Sequence, residues 1–151
     1  PETHRPTTIQ SLLNSPVGSM ASGLANFSLF DKSFSKVFGD NTKPTEVDLM
    51  DHWYLICQQE GNRINHKLIQ YIQDRVRNRE RWVGALMKTH VPLMLIDGLV
   101  DPVSGQHMVD RYRELIPNPT IIELNEIGHY PQLEHPEGVL EHVQSFIQQL
   151  E

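Results

Sequence analysis

The chain has 151 residues, of which 38% are hydrophobic and 21% are charged, with a formal net charge of -6. This length suits one domain with one core, and no apolar run is long enough for a transmembrane helix or a secretory signal. The negative charge argues against a nucleic-acid partner, because proteins that bind phosphate backbones usually present a basic face.

The first half of the chain predicts helices and no strands. A short amphipathic helix is expected over residues 7–14, and Pro16 can open the next one. A firmer helix is expected after Thr45, where "TEVD" resembles a capping box with Asp in the place of Glu. From Asn62 onward a longer helical pattern runs into a charged segment and then toward Leu86.

The second half changes to the pattern of buried parallel strands. The apolar runs 91–97 and 120–126 predict two strands, and a helix capped by Ser104 is expected between them. This order is a βαβ unit with its crossover helix. A final helix is expected from Pro136, which suits a first helical turn, to the carboxyl terminus.

Two such strands make an incomplete sheet. Strands that are apolar on both faces need neighbouring strands and helices, which the rest of this chain does not predict. We therefore expect further parallel strands before Pro1. The predicted fold class is α/β, with this chain forming the carboxyl-terminal part of a doubly wound sheet after a helical insertion.

Ionisable residues follow both predicted strands, at the edge of a parallel sheet where ligands bind. Asp97 and Asp101 follow the first strand, and His129 follows the second. An acid and then a histidine in this order suit a nucleophile, acid and base triad. We favour Asp101 as the acid, with Asp97 second, although Asp101 could be a turn former before proline and His129 a loop residue. Glu134 and Glu137 suit a helix start, where the helix dipole favours negative charge.

No metal or cofactor site is predicted. His129, His135 and His142 are six and seven residues apart, which matches no usual metal-ligand spacing. The single Cys57 can form no internal disulfide and has no zinc-type partners. We expect a reducing, cytoplasmic compartment, unless an upstream signal or anchor directs the protein elsewhere.

The aromatic residues of the helical half have two interpretations. Trp53 and Tyr54 could line an apolar substrate pocket. Aromatic side chains at helical spacing are more often part of a core, which is the simpler interpretation of Trp53 and of Trp82.

Several segments together resemble a known family. "GLVDPV" followed by "IGHYPQLEHPEGVLEHVQSFI" resembles the last two strands and final helix of α/β-hydrolase-fold enzymes, especially haloalkane dehalogenases and epoxide hydrolases. "PETHRP", "RWVGAL" and "HYPQLE" are similar to segments of the subfamily of mesoderm-specific transcript-like proteins. The resemblance implies a helical cap over residues 1–88 and the carboxyl-terminal βαβα part of the core over residues 89–151, with the amino-terminal core outside this chain.

The same resemblance assigns roles to two residues and leaves a third role empty. Asp101 matches the acid of the triad and His129 its base. No G-x-S-x-G occurs, and "GSMASGL" lacks the required glycine two residues before Ser22. In the subfamily the corresponding turn resembles His-Asp-x-Gly, which implies an aspartate nucleophile upstream of Pro1.

These expectations describe a hydrolase that acts on a small, largely apolar substrate, namely a haloalkane, an epoxide or an ester. The expected partners are that substrate and the amino-terminal half of the same protein, with no cofactor. The alternative is a non-catalytic α/β-hydrolase-like protein that binds or scaffolds. The oligomeric state stays open, and this segment gives no indication of membrane association.

Overall fold

A computed structural model of the chain describes residues 3–150. The helical part, residues 3–88, contains no strand in this described range and includes two short 3-10 helices, Ser35–Val37 and Gln58–Ile64. Its α-helices are α1 (Thr8–Leu13), α2 (Gly18–Gly23), α3 (Phe27–Phe34), α4 (Glu46–Cys57), α5 (Asn65–Leu68), α6 (Tyr71–Arg77) and α7 (Arg79–Lys88).

Capping boxes begin two of these helices. The Thr45 hydroxyl accepts the backbone N–H of Asp48 at 3.2 Å, and the Asp48 carboxylate accepts the backbone N–H of Thr45 at 2.9 Å. Thr7 and Gln10 form the same reciprocal pair at the start of α1. Both contacts satisfy backbone donors that a helix start leaves without partners, so the predicted helix after Thr45 is confirmed.

Two predicted helices are shorter in the structure than the apolar pattern indicates. The helix expected after Pro16 is interrupted before Asn26, whose side chain accepts the Leu29 N–H at 3.1 Å and caps a new helix, α3. The continuous helix expected from Asn62 is wrong, because this region divides into a 3-10 helix, α5 and α6. A side-chain cap at α3, and turns between the short helices after Asn62, override the periodicity of the apolar residues.

The second half forms the predicted βαβ unit. Strands β1 (Met94–Gly98) and β2 (Thr120–Leu124) are parallel and in register, with Met94 opposite Thr120 and Gly98 opposite Leu124. Helix α8 (Gln106–Leu115) crosses between them. The short α9 (Pro131–Glu134) and the longer α10 (Pro136–Gln148) follow. The predicted α/β class is confirmed.

A small apolar core joins the helical part to the loops after the strands. Val37 and Phe38 from the helical part are buried with Val103 from the loop after β1. The half-buried rings of Phe34 and Tyr130 pack against them. Because Tyr130 directly follows His129, burial of this cluster stabilises the loop that carries the histidine.

Three backbone segments meet closely at the carboxyl ends of the strands. A Cβ atom on Gly128 would lie 2.7 Å from the Gly39 nitrogen and would overlap the Val37 carbonyl oxygen. A Cβ atom on Gly98 would overlap the Gly128 carbonyl oxygen. Glycine at these positions therefore lets β1, the loop after β2 and the chain near residue 38 approach one another.

This close approach predicts an unequal effect of two glycine substitutions. Gly128→Ala is expected to lower the free energy of unfolding by ~1–3 kcal/mol, because the added methyl group has no space. Gly84→Ala in α7 is the matched control, since no heavy atom lies within 4 Å of a Cβ atom built there. It is expected to raise the stability by ~0.4–1 kcal/mol through the unfolded state. Thermal unfolding followed by circular dichroism measures both, and equal melting temperatures would contradict the packing described here.

None of the helices within residues 3–150 combines the length and the apolar character needed to cross a bilayer.

Candidate active site

An aspartate and a histidine meet at the carboxyl ends of the two strands. Asp101 lies in the turn after β1, and His129 lies in the loop after β2. The distance between His129 Nδ1 and Asp101 Oδ2 is 2.7 Å. Because a carboxylate can only accept a hydrogen bond, Nδ1 carries the proton and donates it, which leaves Nε2 as the acceptor of the neutral ring.

The Asp101 carboxylate is held by its own turn. Oδ1 accepts the backbone N–H of Val103 at 2.8 Å, and Oδ2 accepts both the backbone N–H and the hydroxyl of Ser104, at 2.9 and 2.8 Å. Its side chain is only 4% exposed. Burial alone would raise the pKa of Asp101, but the hydrogen bonds from His129, Val103 and Ser104 outweigh it and lower the pKa below its ordinary value. The group is therefore an ionised acceptor at neutral pH.

The contact of Ser104 with Asp101 differs from the sequence-based expectation. Ser104 was expected to cap the crossover helix, but α8 begins at Gln106 with Gly105 in the capping position. The prediction is wrong because the Asp101 carboxylate, three residues earlier, takes the Ser104 hydroxyl. Ser104 therefore supports the acid instead of the helix.

The His129 ring is fixed on one side and open on the other. Its backbone N–H donates to the Val37 carbonyl at 2.8 Å, and its ring meets the edge of the Tyr130 ring at a centroid distance of 4.9 Å. Among residues 3–150, no group forms a hydrogen bond with Nε2. The side chain is 32% exposed. The nitrogen that would accept a proton in catalysis is thus accessible.

Asp97 lies beside this pair without joining it. It is the fourth residue of β1, and its Oδ1 atom is buried with no hydrogen-bond partner within residues 3–150. Burial raises the pKa of Asp97 to about 7, and the Asp101 charge adds to this shift while His129 opposes it. Of the two aspartates considered from the sequence, the structure brings Asp101 into contact with His129 and leaves Asp97 apart.

His4 is a neighbour of the pair that the reasoning about strand exits missed. The backbone N–H of the next residue, Arg5, donates to the Val103 carbonyl at 3.1 Å and holds this segment against the Asp101 turn. The Nε2 atom of His4 is buried without a hydrogen-bond partner among the described residues. Burial, and then the Arg75 charge, lower the pKa of His4. In the sequence, only the resemblance of the "PETHRP" segment to the subfamily pointed to His4. Pro1 and Glu2 of that segment lie outside the described residues.

A row of aromatic rings connects the pair to the helical part. Trp53 contacts Phe30 at a ring-centroid distance of 5.5 Å, and Phe30 stacks on Phe34 at 4.9 Å. Phe34 contacts Tyr130 at 5.1 Å, and Tyr130 contacts His129. Four of these rings, all except the His129 ring, also border an apolar cavity.

This cavity has a volume of about 590 Å³, within the range of small-molecule sites. Its lining is mainly apolar and includes Ile9, Leu13, Met20 and Ile56. Of the two aromatic residues considered for a pocket, Trp53 lines this cavity. Tyr54 does not. It is the next residue of α4, so its side chain points to another side of the helix, and the residue is 66% exposed.

Within residues 3–150, no group of three or more His, Cys, Asp or Glu side chains is placed to hold a metal ion. The described residues do present an oriented imidazole whose neighbour Tyr130 lines an apolar cavity.

Comparison with known proteins gives relatives over nearly the whole chain. No family model matches it. It is 40% identical to the mesoderm-specific transcript protein of Mus musculus and to its homolog in Homo sapiens, over 97% of this chain and 45% of each relative. It is 37% identical to "Putative hydrolase LipZ" of Mycobacterium tuberculosis, over 88% of this chain and 46% of that protein.

One solved structure has a similar fold. It is the crystal structure of a membrane phospholipase A that is described as a bacterial virulence factor, with a TM-score of 0.56 and 19% identity, over 87% of this chain and 42% of that chain. At this identity the likeness concerns the fold alone. The chain thus has an α/β fold that is also found in a hydrolase. It spans less than half the length of the curated relatives, 45% and 46%.

Proposed function

We propose that this chain contributes the acid and the base of a hydrolase of the α/β-hydrolase type, with residues 1–88 as its cap. The observation that carries the proposal is the 2.7 Å hydrogen bond from His129 Nδ1 to the buried Asp101 carboxylate, which leaves Nε2 without a hydrogen-bond partner among the described residues. Tyr130, which contacts His129, also lines an apolar cavity. Asp101 would select the tautomer and stabilise the imidazolium that forms when Nε2 accepts a proton. The hydrolase named among the relatives supports the same class.

The nucleophile of this proposed triad lies outside the chain. The sequence contains no G-x-S-x-G motif, and no side chain within residues 3–150 is bonded to Nε2. The curated relatives are more than twice as long as the matched segment, since it covers 45% of their length. Strand β1 also has one edge that no strand within residues 3–150 covers, which suits further strands of the same protein.

Two chemical routes fit a base in this position. With an aspartate nucleophile, its carboxylate oxygen attacks carbon and forms an ester as halide leaves or an epoxide opens. His129 then takes a proton from water, which hydrolyses that ester. With a serine nucleophile, His129 takes the hydroxyl proton as the oxygen attacks an ester carbonyl, and returns it to the leaving alcohol.

The cavity supports a small, largely apolar substrate of the haloalkane, epoxide or ester class. Its apolar wall favours alkyl or aryl groups through burial, at roughly 25 cal/mol per Å² of apolar surface. Tyr130 borders the cavity and its ring contacts the His129 ring, so this residue links the cavity to the imidazole.

A substrate panel tests the function. The natural full-length protein would be assayed with 1-bromobutane, styrene oxide and p-nitrophenyl esters of increasing chain length. We expect turnover of at least one class. Single turnover in ¹⁸O-labelled water separates the routes by where the label goes. With an aspartate nucleophile, the first alcohol carries the unlabelled aspartate oxygen and the label enters the enzyme's own carboxylate, whereas with a serine nucleophile the label enters the carboxylic acid product. No turnover in any class by the folded protein would favour the non-catalytic binding protein instead.

Narrowing the cavity is expected to penalise large substrates selectively. Ala21→Leu adds volume at a residue of α2 that lines the cavity, whereas Ala85→Leu makes the same change on the exposed surface of α7. The first variant is expected to lower kcat/KM for the largest accepted substrate about tenfold or more, with less effect on the smallest. The second variant should leave kcat/KM unchanged for both substrates. An equal loss of kcat/KM in the two variants would show that the cavity does not bind the substrate.

A further inference from the structure

The Glu134 carboxylate has an unusual set of partners. It lies in the single turn of α9, so the predicted charge at a helix start is confirmed, but its contacts extend well beyond that helix. Its two oxygens accept four hydrogen bonds. The donors are the backbone N–H of Gly39 at 2.8 Å, the Thr42 hydroxyl at 2.6 Å, the backbone N–H of Gly128 at 2.8 Å and the backbone N–H of Tyr130 at 3.0 Å.

These donors come from two separate parts of the chain. Gly128 and Tyr130 are the residues immediately before and after His129. Gly39 and Thr42 belong to the helical part and lie more than 90 positions earlier, with sequence separations of 95 and 92 from Glu134. One carboxylate therefore joins the loop that carries His129 to the helical part.

The position of this carboxylate is itself well defined. The backbone N–H of Glu134 donates to the Tyr130 carbonyl at 2.9 Å, closing the single turn of α9. Gly39 and Gly128 lack a Cβ atom, so their N–H groups can both approach the same oxygen. Hydrogen bonds to an ionised group are shorter and stronger than neutral ones, which makes these contacts stiff restraints on the loop.

We infer that Glu134 is a positioning residue for His129, since its carboxylate holds the backbone on both sides of the histidine and ties it to segment 39–42 of the cap. It touches neither the imidazole nor the cavity, so it acts through the backbone. With Glu134 in place, the His129 ring keeps its hydrogen bond to Asp101. Without it, two N–H groups beside His129 lose their acceptor and the loop is free to shift. The catalytic part of this inference rests on the proposed hydrolase function, whereas the restraint on the His129 ring does not.

The test uses the natural full-length protein and three variants. Glu134→Ala removes all four hydrogen bonds, and Glu134→Gln keeps one accepting oxygen but presents an N–H₂ group to donors. Glu137→Gln is the matched control, because it removes the same charge from an exposed residue of the first turn of α10. The first readout is the low-field proton NMR signal of the His129 Nδ1–H that is bonded to Asp101. The second is kcat and KM on p-nitrophenyl butyrate, or on 1-bromobutane or styrene oxide if only these are hydrolysed.

We expect Glu134→Ala to broaden or abolish the NMR signal and to lower kcat about 10²-fold with little change in KM, because a misplacement of about 1 Å costs that much. Glu134→Gln should show a smaller change in the same direction, and Glu137→Gln none. Thr42→Val removes one donor from the cap side and is expected to have a smaller effect than either Glu134 variant.

The outcomes separate this inference from the function proposed above. A folded Glu134→Gln protein with the signal and kcat of the unsubstituted protein would overturn it. So would a lower melting temperature in both Glu134 variants with an unchanged NMR signal, since the residue would then be structural only. If the unsubstituted protein hydrolyses nothing, the hydrolase proposal fails and the NMR comparison still decides the role of Glu134. If Glu134→Ala does not fold, Glu134→Gln and Thr42→Val give the answer.

Discussion

Replacing His129 with alanine in the natural full-length protein is expected to lower kcat by about 10⁶-fold, the loss seen when the histidine of a protease triad is removed. The reason is that His129 is the only imidazole within residues 3–150 that is hydrogen-bonded to the Asp101 carboxylate, so no other base there can replace it. KM is expected to change little, because the ring orients a proton transfer and contributes little to binding. The measurement is steady-state hydrolysis of whichever probe the protein accepts.

A second readout distinguishes the two proposed routes. With an aspartate nucleophile, the His129→Ala protein still forms the covalent ester but cannot activate water, so a mass increase equal to the alkyl group should accumulate. With a serine nucleophile, the first step fails and no adduct forms. His90→Ala is the control, since His90 is exposed in the loop before β1 and should leave kcat unaltered. Full activity of the His129→Ala protein would exclude His129 as the base.

Asparagine substitutions at the two neighbouring aspartates are expected to differ by orders of magnitude. Asp101→Asn replaces the acceptor of the His129 Nδ1 proton with an amide that can also donate, so the wrong tautomer becomes stable and kcat should fall about 10⁴-fold. Asp97→Asn is isosteric and does not disturb the 2.7 Å contact, so kcat should stay within about tenfold. Comparing kcat for the two variants identifies the acid. A larger loss with Asp97→Asn would assign the role to Asp97.

The same two residues have opposite effects on the pH dependence of stability. The pKa of Asp97 is about 7 in the folded protein, above its ordinary value of 3.8. Between these values the folded state retains a proton that the unfolded state releases, so Asp97 makes stability fall as the pH rises through this window. The lowered pKa of Asp101 acts in the other sense, because its contribution is lost as the pH falls below the ordinary range.

Melting temperatures of the Asp97→Asn protein check this sign. Asparagine does not titrate, so the substitution should remove this loss of stability. The melting temperature at about pH 8, relative to that at about pH 5, should therefore be higher in the Asp97→Asn protein than in the unsubstituted protein. The unsubstituted protein measured in the same buffers is the reference. An unchanged difference would mean that Asp97 is solvated or has an acceptor or donor nearby in the full-length protein.

The sequence by itself determined the class of fold and the order of the chemical groups. Continuous apolar runs predict buried parallel strands because both faces of such strands are covered, and the two strands pair in parallel as expected. The start of α4 at Thr45 was also predictable, because a capping box depends on residues three positions apart. The order of Asp101 and His129 on successive strand exits follows from the same local patterns.

Only the tertiary structure decided which groups meet. The two aspartates are four positions apart, and the turn after β1 brings Asp101 to the His129 ring while Asp97 stays in the strand. The direction of a side chain on α4 decides that Trp53 lines the cavity and Tyr54 does not. Glu134 shows the limit most clearly. Two of its four donors lie more than 90 positions away, so no local pattern could predict those two contacts, which exist only because the folded chain brings separate backbones together.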